Sequence, residues 1–433
     1  MTAFASNSAT DRSIRQPHEI GVINIREFLA IFLLTALVFF SPPLFFIERY
    51  SLTSINKPII LALILALAML FLHRSTISRT VAQLGFLQLV QASALLVLPF
   101  AHMTFGYGLD VRYFSVAFQI LAGLALFLVL ASASRIRLFA VFWVNLHLVI
   151  GACGLLVFVG GVVFNLAPIG TFLDRPYYDF GLAYTNVFYQ VGNIKLIRVA
   201  GFYDEPGTFA FYMTFSLLLA RIFGMARWKE FLLIALGLSS LSMAFFVVTL
   251  IWIGLSADRK YLTFLLLIFA GLVLTVERLD PEVRDLAYSV TVGRFNLAKS
   301  EDRLLKGDNR TAIMKQNYQA FADAPIIGHG LHYEDYIAGV YGASFIGNPV
   351  APLARNGIFG AILMNLHVFA LFLILLATKR LTRRDKLLLL LVLSATLAQR
   401  PITINGFGYF LFIIMIYQLA ACDTSVTTSR QNV

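Results

Sequence analysis

Long uncharged runs of apolar residues, parted by short basic connections, set the rhythm of this chain. They fall at about 28–47, 58–72, 81–101, 113–134, 138–165, 208–224, 231–257, 261–276, 357–378, 387–399 and 403–421. The first, "FLAIFLLTALVFFSPPLFFI", alone gives the roughly 20 residues a helix needs to cross a bilayer core about 30 Å thick. In hydrocarbon a helix satisfies its own backbone hydrogen bonds. The pattern therefore predicts an all-α polytopic membrane protein.

The connections "HRSTISR", "SRIR", "RIFGMARWKE", "SADRK" and "TKRLTRRDK" are rich in Lys and Arg and are expected in the cytoplasm. The stretches near 48–57, 102–112, 166–207 and 277–356 then face outward. One run resists this scheme. If 231–257 crossed once, "SADRK" would turn outward and the long stretch 277–356 would become cytoplasmic. A break near "GLSSLS" (237–242) restores the pattern by making two short or tilted helices of it. Two full spans would need roughly 40 residues, so burial among neighbours has to excuse their shortness. The expected organisation is a cytoplasmic segment 1–27, a transmembrane domain 28–421 of about twelve helices, and a cytoplasmic tail 422–433. Two large periplasmic loops, about 166–207 and 277–356, belong to that domain.

Composition agrees: 59% of residues are hydrophobic and 13% charged, where a soluble domain carries about a quarter charged. The net charge of +11 does not point to nucleic acid, because the basic residues punctuate the spans. Cys153 and Cys422 exclude a disulfide framework. The stretch "MTAFASNSATDRSIRQPHEIGVINIRE" lacks the basic–apolar–small order of a cleavable signal.

Polar chemistry gathers in the two large loops. The first ends "RVAGFYDEPGTFAFY" (198–212), with Arg198, Asp204 and Glu205 at the mouth of an apolar helix. Pro206 just inside the helix and Glu205 before it are a start signal, so either carboxylate can simply complement the helix dipole. A charged cluster of both signs beside a bundle also suits a ligand with a charged head and a greasy tail. Arginine matches phosphate oxygens two at a time, a helix start adds positive potential, and a carboxylate can accept a proton from a sugar hydroxyl. The second loop carries "NRTAIMKQNYQAFADAPIIGHG", where a short amphipathic helix is expected to end in a turn around His329, and then "ARNGIFGAI" with Arg355. Tyrosines of both loops suit sugar stacking as well as an interfacial aromatic belt. His147 and His367 fall within spans, where neutral histidines bonded to a neighbouring helix are expected.

These three segments, in this order, resemble the O-antigen polymerase and O-antigen ligase superfamily across roughly residues 195–370. The shared features are an Arg-x-x-Gly-Phe-x-x-Pro-type stretch opening a middle helix, then Arg, a short helix and Pro-(Ile/Leu)-x-Gly-x-Gly. The chain is more similar to a Wzy-type polymerase than to a ligase. Ligases carry a His-Asn pair some ten residues before the position of Gly357, and here that region reads "SFIGNPVAPLARNG". The resemblance implies a metal-independent membrane glycosyltransferase without cofactor. Its donor and acceptor would be glycans on undecaprenyl pyrophosphate, its active site would face the periplasm from the inner membrane, and a chain-length regulator and a flippase would be its partners. On that basis Arg198, Arg310 and Arg355 are expected on pyrophosphate, Glu205 as general base with Asp204 as alternate, and His329 as a sugar-orienting group or base. The rival for each arginine is an interfacial anchor. The rival functions are an O-antigen ligase and a polysaccharide transporter or flippase. The latter usually needs acidic residues within spans, and the apolar runs have none.

Overall fold

The apolar runs are helices wherever the computed structural model describes them: residues 79–104, 112–130, 133–164, strands within 170–201, then 203, 205–256, 310–330, 350–399 and 406–430. The expected spans 28–47, 58–72 and 261–276, both termini, and most of the loop 277–356 lie outside the described residues. Three helices come first: α1 (Arg79–Thr104), α2 (Arg112–Val129) and α3 (Ala133–Val163). A four-stranded antiparallel sheet follows, β1 (Gly170–Thr171), β2 (Tyr177–Asp179), β3 (Tyr184–Val191) and β4 (Ile194–Gly201), in simple sequential order. After it run α4 (Pro206–Ile222), α5 (Arg227–Leu238), α6 (Met243–Ser256), α7 (Arg310–Asp323), α8 (Ala351–Met364), α9 (Leu366–Ala377), α10 (Arg383–Gln399) and α11 (Gly406–Arg430). The helical architecture is the expected one. The sheet was not expected, and it occupies the loop 166–207.

Two helices form the centre. Nearly every residue of α4 is buried, as is the stretch Tyr409–Tyr417 of α11, the pattern of a helix apolar on all sides and surrounded by protein. Aromatic edges stitch the two together, Phe215 on Phe412 and, from α3, Phe139 on Phe410. The outer helices invert the soluble pattern. Phe86 and Val97 on α1 and Leu156 on α3 are at least 64% exposed. Such apolar surface needs a partner other than water. Among the described residues two helices, α1 and α3, are long and apolar enough to cross a membrane, and the bent pair α8–α9 makes a third if counted as one span.

The run 231–257 breaks where the charge pattern requires. Helices α5 and α6 are separated by 239–242, with Leu241 in a left-handed conformation (φ 47°). They form a hairpin: the indole Nε1 of Trp252, near the end of α6, donates to Glu230 Oε2 in the first turn of α5 at 3.2 Å. At the tip, the Phe245 ring covers Gly237. The arms are 12 and 14 residues long, or about 18 and 21 Å at 1.5 Å per residue. Neither alone covers a 30 Å core.

What excuses this shortness is β4. The strand descends beside α3, Val199 pressing on Gly154, Gly201 on Ile150 and Tyr203 on His147. The hairpin tip therefore meets protein, and Val199 N–H donates to the Ser239 carbonyl at 3.2 Å. Irregular backbone away from water is tolerated only when another part of the protein satisfies it.

At the opposite end of the hairpin, Arg221 closes α4 and reaches three elements. Its Nη2 lies 3.2 Å from Glu230 Oε2, its Nη1 3.8 Å from Asp385 Oδ1 on α10, and its guanidinium stacks 5.4 Å from the centre of the Trp252 ring. Gly224 (φ 60°) ends α4 with the paired bonds Met225 N–H to Ala220 O and Gly224 N–H to Arg221 O, the left-handed helix stop that glycine favours. Beside it Lys229 donates to Asn145 Oδ1 at 2.6 Å, and partial burial lowers its ammonium from the usual lysine range.

The expected single run 357–378 is not one straight helix. It bends by 50° between α8 and α9. Gln91 of α1 answers the break: its Nε2 donates to the carbonyls of Leu363 and Met364, both at 2.9 Å, and toward His367 Nδ1 at 3.2 Å. Tyr409 donates to Gln91 Oε1 at 3.1 Å. His367 is thus bonded to a neighbouring helix, as expected.

Candidate functional site

The sequence-predicted residues fall into two groups on different elements. The first surrounds the start of α4. Arg198 sits on β4, half-buried, and its Nε donates to the Ser240 carbonyl at 3.0 Å. Ser240 belongs to the turn that ends α5, so the guanidinium lies at the electronegative end of that helix. Three serines of the tip, Ser239, Ser240 and Ser242, are buried.

Glu205 is the N-cap residue of α4 by backbone position, but its carboxylate makes no capping hydrogen bond. Pro206 follows it and has no N–H to offer. The Glu205 main-chain carbonyl accepts from Thr208 and Phe209, while the Thr208 hydroxyl stands 3.5 Å from Oε1. The carboxylate is half-exposed. The start signal therefore describes the backbone of this helix rather than a side-chain cap. Asp204 lies outside the described residues.

A buried aromatic cluster fixes this segment from below. His147 of α3 faces the Trp143 carbonyl with Nδ1 at 2.9 Å and the Tyr203 hydroxyl with Nε2 at 2.6 Å. A carbonyl only accepts, so Nδ1 carries the proton and Nε2 accepts from Tyr203. Tyr203 also stacks on Tyr212 at 4.8 Å. Burial, and after it the Tyr212 phenol, push the Tyr203 hydroxyl well above its usual titration range, so it remains a donor. Tyr203 stands two positions before Glu205 and five after Arg198. A small recess opens beside this group, between Gly207 and Ala210 of α4, Ala244 and Phe245 of α6, and Thr396 of α10.

The second group joins α1, α2, α7 and α8. The "PIIGHG" turn (325–330) and the "ARNGIFG" segment (354–360) interlock. Gly357, at φ 62° and ψ −176°, interrupts α8. The N–H groups freed beyond it are taken by the turn: Ile358 donates to Pro325 O at 2.8 Å and Phe359 to Ile326 O at 3.1 Å. In return His329 N–H donates to Ala354 O at 3.2 Å. A side chain at either Gly328 or Gly357 would strike the other segment's backbone. These glycines serve close approach as well as positive φ.

Around the interlock, His102 stands between the carbonyls of Leu98 (3.1 Å) and Ile327 (2.8 Å) and stacks on Tyr113. Tyr113 in turn donates to Asn356 Oδ1 at 2.8 Å. His329 is buried in the turn, and its Nε2 donates to Ala320 O at 2.9 Å, leaving Nδ1 as the ring's basic atom. Arg355 is half-buried beside Gly328. Arg310 opens α7, and its side chain lies outside the described residues.

Arg198 is thus held on β4 against the α5–α6 tip and Glu205 at the start of α4, seven positions along the same segment, while the His329 turn after α7 meets the Arg355 segment of α8. Sequence reasoning missed His102, Tyr113 and Asn356, which sit at helix ends and clamp the second group. It also missed Tyr203, although that residue lies inside the quoted "RVAGFYDEPG" stretch. No protein-family model matches the chain, and no curated protein does either.

Proposed function

We propose that this chain is an integral-membrane glycosyltransferase that polymerises undecaprenyl-pyrophosphate-linked repeat units on the periplasmic face of the inner membrane. About twelve crossings with both termini inside place the two large loops on that face. One observation carries the reading: of the three motif segments that make up the resemblance, the last two, separated by about two dozen residues, bind each other's backbone groups through Gly328 and Gly357. Paired motifs that fit one another in space support one inherited site better than two chance matches.

In the reaction an acceptor sugar hydroxyl attacks the anomeric carbon of the donor glycan. The new C–O glycosidic bond forms as the bond from that carbon to the pyrophosphate oxygen breaks, and undecaprenyl pyrophosphate leaves. Glu205 takes the hydroxyl proton. Arg198, Arg310 and Arg355 neutralise the departing charge, which a fixed guanidinium does without reorganisation. Tyr203 and His147 hold the Glu205 segment in place, and the Ser240 carbonyl orients Arg198.

Deletion of the gene followed by profiling of lipid-linked glycans tests this. Single repeat units should accumulate on the carrier. Full-length polymer left on the carrier would point to a ligase instead, and normal chains trapped inside would point to transport. Arg198→Ala should abolish polymer while the protein still reaches the membrane, and normal chain lengths in that variant would remove the assignment.

A further inference from the structure

The inner face of α7 carries a polar group that the fold leaves unanswered. Among the described residues, Asn317 and Ala320 of α7 and Ala324 just beyond its end are buried, spaced as one face of a helix, and α7 packs on α8. Asn317 is fully buried, yet neither its Nδ2 nor its Oδ1 has a hydrogen-bond partner. A carboxamide offers two donors and one acceptor. Burying it unpaired is costly, whereas an apolar side chain of the same shape at that place carries no such penalty. Asparagine is also a mediocre helix former. Neither packing nor helix propensity accounts for an amide here, and an unsatisfied buried group asks for an explanation.

We infer that Asn317 is a glycan-contacting residue, whose amide hydrogen-bonds the hydroxyl or acetamido groups of a repeat unit entering between α7 and α8. The inference rests on the polymerase reading above. Position 310 lies on the same helical face seven residues earlier, about 10.5 Å along the axis. With the pyrophosphate at Arg310, the sugars next to it reach Asn317. The alanines that continue the stripe leave a smooth surface for a sugar ring. The far end of α7 is the fixed one, because the turn 325–330 is bonded into α8 and onto His102. Entry of the glycan therefore parts the two helices in the half of α7 that holds Asn317.

The test uses the full chain in a deletion strain, with lipid-linked glycan profiling, and thermal unfolding of the purified protein in detergent. Wild-type complementation checks the polymerase reading by itself: if wild type does not convert accumulated repeat units into polymer, that reading fails whatever Asn317 does. Given polymer from wild type, Asn317→Leu should unfold at the same or a higher temperature. It should also lose about tenfold or more in repeat units added at equal protein level, the cost of one or two substrate hydrogen bonds. Asn317→Ala, which adds no branch to the interface, should show the same loss of polymer. Wild-type chain lengths in either variant overturn the inference. So does failure of both to fold, or a lower unfolding temperature in both, since the amide would then be a structural group.

Discussion

Gly357→Ala is the sharpest probe of the interlock. Gly357 adopts φ 62° and ψ −176°, a region open essentially to glycine alone and worth about 1–3 kcal/mol of strain for another residue. A methyl group there would also meet the main-chain carbonyl of Ile326 and the nitrogen of Ile327. Backbone cannot rotate away as a side chain does. Relieving the clash pulls the turn off α8 and strains or breaks the bonds from Ile358 to Pro325 O (2.8 Å) and from Phe359 to Ile326 O (3.1 Å). Each buried group left unpaired costs about 1–3 kcal/mol. With both bonds lost the sum is about 3–9 kcal/mol, a large share of the 5–15 kcal/mol that holds a typical domain together. Gly254→Ala is the control, since nothing lies within 4 Å of a methyl group at that α6 position and alanine favours a helix by about 0.5–1 kcal/mol. Unfolding of the two purified variants in detergent, with monodispersity on gel filtration, reads the difference. Gly254→Ala should match or exceed wild type, and Gly357→Ala should unfold far earlier or fail to accumulate. If Gly357→Ala stays within about 1 kcal/mol of wild type, the turn does not fill the break in α8 as described.

Two further substitutions probe the rest of the bundle. Glu230→Gln removes the charge that faces Arg221 at 3.2 Å while Asp385, at 3.8 Å, remains; with Glu230 only 2% exposed, the expected cost is about 3 kcal/mol, and a loss below about 1 kcal/mol in chemical denaturation would show that the α5–α6 hairpin is held by packing alone. Tyr203→Phe deletes the donor to His147 Nε2 and should cost about 1–3 kcal/mol. It should also lower polymer output more than Glu230→Gln does, because Tyr203 lies on the segment that presents Glu205; equal activity losses from the two variants would argue against that positioning role.

Some of this architecture was plain in the sequence because it follows from short-range rules. The helices over 79–104 and 133–163 follow from uninterrupted apolar length, and the break at 239–242 follows from the charges on either side of it. The start of α4 was marked by Pro206. What stayed hidden depends on partners distant in sequence. The sheet over 170–201 is written in residues such as "YTNVFYQ" that serve equally for an aromatic belt. The bend between α8 and α9 depends on Gln91, more than 270 residues away, to satisfy the carbonyls it frees. Gly357 could be read as a helix residue or a break, and only the approach of Pro325 and Ile326 decides. The carboxylate of Glu205 reads as a cap in sequence, and only the rotamer, fixed by the surrounding fold, shows that it makes no capping hydrogen bond.

Arg198 links several of these features. A guanidinium taken out of water is costly unless its donors are met, and here a helix is cut short so that one of its terminal carbonyls, Ser240 O, meets Nε. The same carbonyl end supplies negative potential that favours the cation. Without β4 beside it, the tip of the hairpin would lose the Val199 N–H that the Ser239 carbonyl accepts. Without the tip, Arg198 would lose the acceptor that orients it. The short helices, the inward strand and the half-buried arginine are therefore one arrangement.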